Sequence, residues 1–457
     1  MNPFKVALLS SLMLSLSACV SDDKLTVNSN VNDKVKVPSA WTTQIKNNLP
    51  PPERWLKQFN DPMLMTFINE GKRNNLDLKI AASTMNKAWL MAEKSGVALK
   101  PTVDLSLNRS QSGNLNTDDS SGTVSVGLQS SWELDVWGRI QLGIDAAKSS
   151  AESAEADYLF AEHSLSANIA KSYFKVIEAE LQAQITAKNV GILEKNLKIS
   201  QVKYNNGSSS AQDIALSKAN LASAKEQLIA TLSSKRDAIR ALEILLGRYP
   251  SGTLKFAKVL PNLPSFPSVS IPSSVLERRP DLIAAERQVA AAYSATAQAK
   301  VAQLPSFSLN SNLNGASSDL SNVLSPANVA WQLAGKLFAP LFDGGRGELD
   351  IEIATTDQKQ AIANYKSKAL GAFSEIEKNL DLGISLAKRE TVLSEAYQQN
   401  EKAYRIADLR YQEGETELLD KLQIQQQTIS AQSKLLSIKR SQLDQRINLY
   451  LSLGGSW

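Results

Sequence analysis

The sequence predicts a mainly α-helical protein with a small β part, in which long helical hairpins recur as an internal two-fold repeat. Three observations carry this. Gly138 and Gly345, Gly207 and Gly414, and Gly247 and Gly454 are each 207 positions apart, and three landmarks holding one offset mark a duplication. Arg139 to Asn206 contains no proline and is rich in Ala, Glu, Lys, Gln and Leu, so a continuous helix there reaches about 100 Å at about 1.5 Å per residue. Finally, Leu422, Ile429, Leu436, Leu443 and Tyr450 recur at intervals of seven, the stripe of a helix packed lengthwise on a neighbour. In the first half Ile214, Leu221 and Leu228 keep that interval, and Leu232, Ile239 and Leu246 resume it after a step of four.

Residues 1–18 form an export signal: Lys5, an apolar run from Val6 to Leu16, then Leu16-Ser17-Ala18-Cys19. That ending resembles a bacterial lipobox, which implies cleavage before Cys19 and covalent lipid on its sulfur and new amine. Cys19 is the sole cysteine, so no disulfide competes for it. Val20 in the next position resembles lipoproteins sorted to the outer membrane. Residues 19–54 are then a lipidated tether, polar and without periodicity to about Ala40, and extended at Pro50-Pro51-Pro52. Past the signal no run of about 18 apolar residues occurs, so no transmembrane helix is expected.

The first repeat spans residues 55–253. Asp61-Pro62 and Asn75-Leu76-Asp77 start two helices, and Pro101 ends the second. Val103, Leu105 and Leu107 then alternate with polar residues, as do Val124, Val126, Leu128, Trp132, Leu134 and Val136 after the polar stretch Gln111 to Gly122. Period two means strands, here a β-hairpin at about 102–136. A long helical hairpin, 139–247, follows. Residues 254–274 hold Pro261, Pro264, Pro267 and Pro272 and read as an extended crossover. The second repeat, 275–457, has a helix from Arg279-Pro280-Asp281, a β-hairpin at about 306–342 and a helical hairpin at 346–453. Its strand signal is Phe307 and Leu309, then Val323, Ala327, Val329, Trp331 and Leu333.

Four strands cannot close a membrane barrel, which takes about eight or more. Several chains are needed: two would supply 4 × 2 = 8 strands and three 4 × 3 = 12, and spacing alone does not choose. Gly138, Gly344 and Gly345 stand where strand must bend into helix. Composition excludes other classes. A net charge of +4 over 457 residues makes no basic patch for nucleic acid. One histidine, His163, and one cysteine leave no metal cluster or thiol nucleophile, and no glycine-rich phosphate loop occurs, so neither an enzyme nor a cofactor is expected beyond the lipid on Cys19.

Trp132-Glu133-Leu134-Asp135-Val136-Trp137-Gly138-Arg139 and Pro340-Leu341-Phe342-Asp343-Gly344-Gly345-Arg346 resemble the two strand-to-helix junctions of TolC-type outer-membrane efflux channels. Arg278-Arg279-Pro280-Asp281-Leu282 and the turns Tyr204-Asn205-Asn206-Gly207 and Tyr411-Gln412-Glu413-Gly414 are similar to that family too, and with the lipobox they resemble its lipoprotein branch. The resemblance implies a homotrimer with a twelve-stranded barrel in the outer membrane and an α-helical barrel through the periplasm. It also implies a periplasmic adaptor and an inner-membrane pump as partners, for export of small toxic compounds. A type I protein secretion duct and a structural envelope lipoprotein without transport are the alternatives. The junction tryptophans Trp132 and Trp137 would belong to an aromatic belt.

The same resemblance places the turns at Gly207 and Gly414 at the periplasmic entrance and assigns its gate to Tyr411, Asp420 and Asp213. Thr416 and Gln423 stand where the best-known member has an arginine and an aspartate. The latch therefore uses other residues, with Glu415, Glu417 and Lys421 the candidates.

Overall fold

The computed structural model describes residues 40–43, 55–114, 117–266 and 272–455, with the side chains of 114–120 left aside. The signal peptide, Cys19 and most of the tether lie outside the described residues. A 3₁₀ turn, Trp55–Phe59, leads to helix α1 (Pro62–Asn74). Asp61 opens α1 by accepting hydrogen bonds from the N–H groups of Met63 (2.9 Å) and Leu64 (3.1 Å). Asn75 caps α2 (Leu76–Val97) in the same manner, accepting from Leu78 N at 2.9 Å. Strands β1 (Thr102–Asn114) and β2 (Thr117–Leu134) follow, then α3 (Arg139–Asn205) and α4 (Ala211–Leu245). Next come α5 (Pro272–Arg278) and α6 (Pro280–Val301), β3 (Ser306–Ser317) and β4 (Val329–Phe338), and α7 (Arg346–Glu413) and α8 (Leu418–Ser452). The two long arms have 67 and 68 residues and the returning arms 35 each.

The four strands form one antiparallel sheet in the order β1-β2-β3-β4. Register sorts its side chains cleanly. Leu105 pairs with Leu128, Leu128 with Leu313, and Leu313 with Trp331, so one face carries an apolar row across all four strands. Trp132, Leu309, Leu333 and Leu337 extend that face, and most of its residues are exposed. The opposite face carries the row Asp104, Gln129, Asn312 and Gln332. From Val124 to Leu134 the apolar band stands about 25 Å tall, taking about 3.3 Å per residue and a tilt near 45°. Among the described residues β1 and β4 each have one unpaired edge.

Two strand expectations need correction. Within the polar stretch Gln111 to Gly122, residues 111–114 and 117–122 are strand, because the β1–β2 ladder continues beyond the apolar band. Val323 and Ala327 are not in a strand: Val323 ends a 3₁₀ turn, Leu320–Asn322, and is buried against Gly315, where a Cβ would stand 2.2 Å from the Val323 carbonyl oxygen. The crossover also ends earlier than its prolines suggest, since Pro272 begins α5, a position where the missing N–H costs nothing. Leu254, Phe256 and Leu260 pack on the core rather than standing clear of it.

That core lies where α1, the middle of α3 and the ends of α4 and α8 meet. Trp55 stacks on Tyr450 with ring centroids 4.6 Å apart, and Phe59, Phe67, Tyr173 and Phe174 close around them. Ahead of it, Trp41 meets Phe373 edge-on, and Glu377 of α7 accepts hydrogen bonds from Thr42 N (2.6 Å) and Thr43 Oγ1 (2.9 Å). Helix α6 packs on both α3 and α7, and α8 on both α7 and α3. Helices α2 and α4 have α3 as their main long-helix neighbour.

Candidate functional site: the junctions and the helical tip

At the first junction Gly138 adopts φ 75°, and the Asp135 carboxylate accepts hydrogen bonds from Ile140 N (2.9 Å) and Gln141 N (2.8 Å), capping α3. At the second, Gly344 and Gly345 have φ 71° and 88°, and Asp343 accepts from Gly345 N (3.0 Å) and Gly347 N (2.8 Å). The glycines permit the bend and the aspartates satisfy the exposed helix ends. Sequence reasoning had the glycines and missed the two caps, although both aspartates stand two or three positions ahead of a glycine. Trp132 donates to the Leu99 carbonyl (2.9 Å) and Trp137 to the Pro305 carbonyl (2.7 Å), so each indole also holds the end of an incoming helix.

The motif around Arg279 is a clasp. Its guanidinium is buried and binds Asp281 through two bonds (3.0 and 2.8 Å), Glu375 of α7 (2.9 Å) and the Ser452 carbonyl at the end of α8 (3.2 Å). In the first half Asn75 reaches the Leu245 carbonyl at the end of α4 (3.0 Å).

At the far end, Gly207 (φ 73°) and Gly414 (φ 84°) make the two turns. Their tyrosines differ: Tyr204 is 45% exposed and Tyr411 4%. Tyr411 is enclosed because its hydroxyl lies 3.2 Å from Ser200 Oγ on α3, itself 3.1 Å from Ser217 Oγ on α4. Lys203 donates to the Tyr411 carbonyl and stands 4.2 Å from the ring centroid, and Lys421 of α8 stands 4.7 Å from it. Lys421 is fully buried. Its ammonium pairs with Asp408 of α7 and Asn196 of α3, each at 2.7 Å, and Asn196 continues to Gln425 (3.3 Å) and Gln425 to Asn189 (2.7 Å). One buried cation thus ties α3, α7 and α8 together.

Of the other predicted gate residues, none joins this network. Asp213 closes a capping box with Ser210 and accepts from the Ser209 hydroxyl (2.8 Å); the Ser210 N–H foremost, then that hydroxyl, hold its carboxyl below the usual range. Asp420, Glu415 and Glu417 are exposed. Asp420 occupies in α8 the place Asp213 has in α4, and Glu417 is the N-cap of α8 without a side-chain cap bond. Gln423 lines a groove of about 620 Å³ between α3, α4 and α8 with Leu193, Leu216 and Leu419. Asn196, Ser200, Lys203, Asp408 and Gln425 were not foreseen. The one signal for them is that Lys421, Gln425 and Thr428 recur at helical spacing beside the apolar stripe.

Residues 67–248 and 271–455 match the family described as outer membrane efflux protein. The chain is 28% identical over 464 residues to the pyoverdine export outer membrane protein OpmQ of Pseudomonas putida, covering 98% of this chain and 96% of that protein. It is 26% identical to the probable outer membrane lipoprotein SilC of Salmonella typhimurium, covering 99% of each. Among solved structures a CusC crystal structure superposes with a TM-score of 0.83 at 25% identity, covering 92% of this chain and 98% of that one. With both halves matched and the fold shared along nearly the whole length, the chain belongs to the outer membrane efflux protein family.

Proposed function

We propose that this outer-membrane efflux channel is a passive duct formed by three copies of the chain, lipid-anchored through Cys19 and fed by an inner-membrane pump through a periplasmic adaptor. The observation that carries the reading is the sheet: one face apolar, one polar, and both edges unpaired among the described residues. Such a sheet is stable in lipid only as part of a closed barrel, with its polar face inward. An eight-stranded barrel has an interior filled by side chains, whereas twelve strands leave room for passage, which favours three copies over two. The helices support a neighbouring copy as well. If the halves are a duplication, α2 should lie between two long helices as α6 does, and the missing one is α7 of the next copy.

At the tip, the Tyr411–Lys421–Asp408 cluster holds the returning arm α8 against α3, and Asp213, Asp420, Glu415 and Glu417 present carboxylates around the mouth. Adaptor binding opens the duct by parting these contacts. Relatives named for pyoverdine export and as a probable lipoprotein support export of small molecules from a lipidated channel.

Planar-bilayer recording of the purified acylated protein tests this. A single-channel conductance low in the parent and higher in Tyr411→Phe combined with Asp408→Asn is expected, from a species of three chains by native mass spectrometry. A monomer that never conducts would end the reading.

A further inference from the structure

The polar face of the sheet is lined with amides and hydroxyls. Asn310, Asn312 and Asn314 run along β3, with Gln129 and Gln332 the cross-strand partners of Asn312. Among the described residues none of these five side chains forms a hydrogen bond within the chain, so their donors and acceptors face whatever fills the space in front of them. At Gly127 a Cβ would stand 3.1 Å from Ser106 Oγ and 3.2 Å from Asn314 Oδ1, so there polar groups close in over bare backbone.

Fixed charge on this face cancels. From the row of Asn108 and Ser125 towards the junctions, the ionised side chains are Asp104, Glu133 and Lys336. Glu133 is paired with Arg139 at 2.8 Å, which leaves Asp104 and Lys336 with opposite signs. An amide offers both an N–H and a carbonyl oxygen, so it replaces lost hydration for a cation, an anion or a neutral group alike.

We infer that the barrel section is a charge-indifferent exit, built to pass hydroxyl- and amide-bearing solutes of either charge sign, and that any selection by charge is made at the helical tip. This rests on the channel reading above, because it needs the polar face to line a lumen. The row through Asn312 is then the place where that indifference can be abolished. A charge placed there would recur once per copy around the duct and act as a filter.

Liposome entry of three tripeptides tests it: triglycine amide as cation, N-acetyltriglycine as anion and N-acetyltriglycine amide as neutral solute. The protein carries Asp213→Asn, Asp420→Asn, Glu415→Gln and Glu417→Gln, so that carboxylates at the mouth do not decide the outcome. The three rates are expected to agree within about threefold, and the K⁺/Cl⁻ permeability ratio in bilayers to stay within about threefold of one. Adding Asn312→Asp should raise that ratio by about tenfold and Asn312→Lys lower it by about as much, the scale on which focused surface charge concentrates ions. A strong preference for one sign in the tip-neutral protein overturns the inference, as does a ratio unmoved by both Asn312 substitutions in variants that still conduct. If no variant conducts, it is the channel reading that fails, and this inference with it.

Discussion

The tip network turns on one ammonium group. Removing Asp408 leaves Lys421 buried with its charge uncompensated, whereas Lys421→Met removes the charge together with the need for a partner. Asp408 is itself partly exposed, so Asp408→Asn is expected to cost about 1–3 kcal/mol, less than the full penalty of a deeply buried pair, and Lys421→Met less again. Both should raise channel open probability in bilayer recordings; a stability loss without a change in opening would make the cluster structural only. A second residue-scale expectation concerns the close helix ends. Gly454 has φ 68°, and a Cβ there would stand 3.0 Å from the Arg278 carbonyl, as one at Gly247 would stand 2.7 Å from the Asn74 carbonyl. Gly454→Ala should therefore lower stability by about 1–2 kcal/mol or more, measured as a fall in the melting temperature of the detergent-solubilised protein. Tyr411 and the glycines were legible because a Tyr-x-x-Gly turn and a constant offset are local marks. Asn196 and Ser200 were not, because they meet α8 only through the register of α3 upon it, which no local pattern encodes.

Between the apolar clusters that join α3 to α8, a run of polar contacts crosses the same seam. Glu178 is buried and accepts from Ser437 Oγ (2.6 Å), and pairs with Arg440 (2.8 Å) and Lys175 (3.0 Å). Asp444 joins Arg440, and Lys171 bonds Asn448 at 3.1 Å. Burial outweighs the lowering effect of Arg440, Lys171 and Lys175, Glu178 adds to it, and the Asp444 carboxyl is pushed from 3.8 up to about 6. The folded state then holds a proton that the unfolded chain has released between those values. This site's contribution is greatest at or below about pH 4 and is lost as the pH rises through about 6, by roughly 1–3 kcal/mol. Asp444→Asn should flatten that part of the stability profile, read as the parent-minus-variant difference in denaturant midpoint between pH 4 and 7.5. An unchanged difference would refute it. The helices themselves could be read from periodicity and missing prolines, and the hairpins from alternation. Strand length was misjudged because beyond the apolar band the sequence is polar at successive positions, and alternation then carries no information. The seven-residue stripe also hid the seam, since its charged residues lie beside the apolar ones and read as a solvated face.

For the assembled duct, neighbouring positions on one strand should have opposite tolerances. Trp331 faces the apolar side and Gln332 the polar side. Trp331→Lys puts an ammonium in the hydrocarbon, at a cost of about 2–4 kcal/mol near mid-depth, and should cut recovery from the outer membrane sharply. Gln332→Lys should be recovered at the parental level. Equal losses would mean that the two faces are not divided between lipid and lumen. Copy number came only through the family resemblance, because alternation fixes which side of a strand is wet but not how many strands complete a circle. The edges of β1 and β4 that are unpaired among the described residues have a cost in time. On the three-copy reading, each newly exported subunit displays, until its sisters arrive, two rows of vacant peptide groups beside a greasy surface, the features that seed fibrous aggregates. Its period of greatest danger is therefore its solitary transit, so a cell that makes the chain faster than it can be escorted should accumulate insoluble deposits rather than surplus pores.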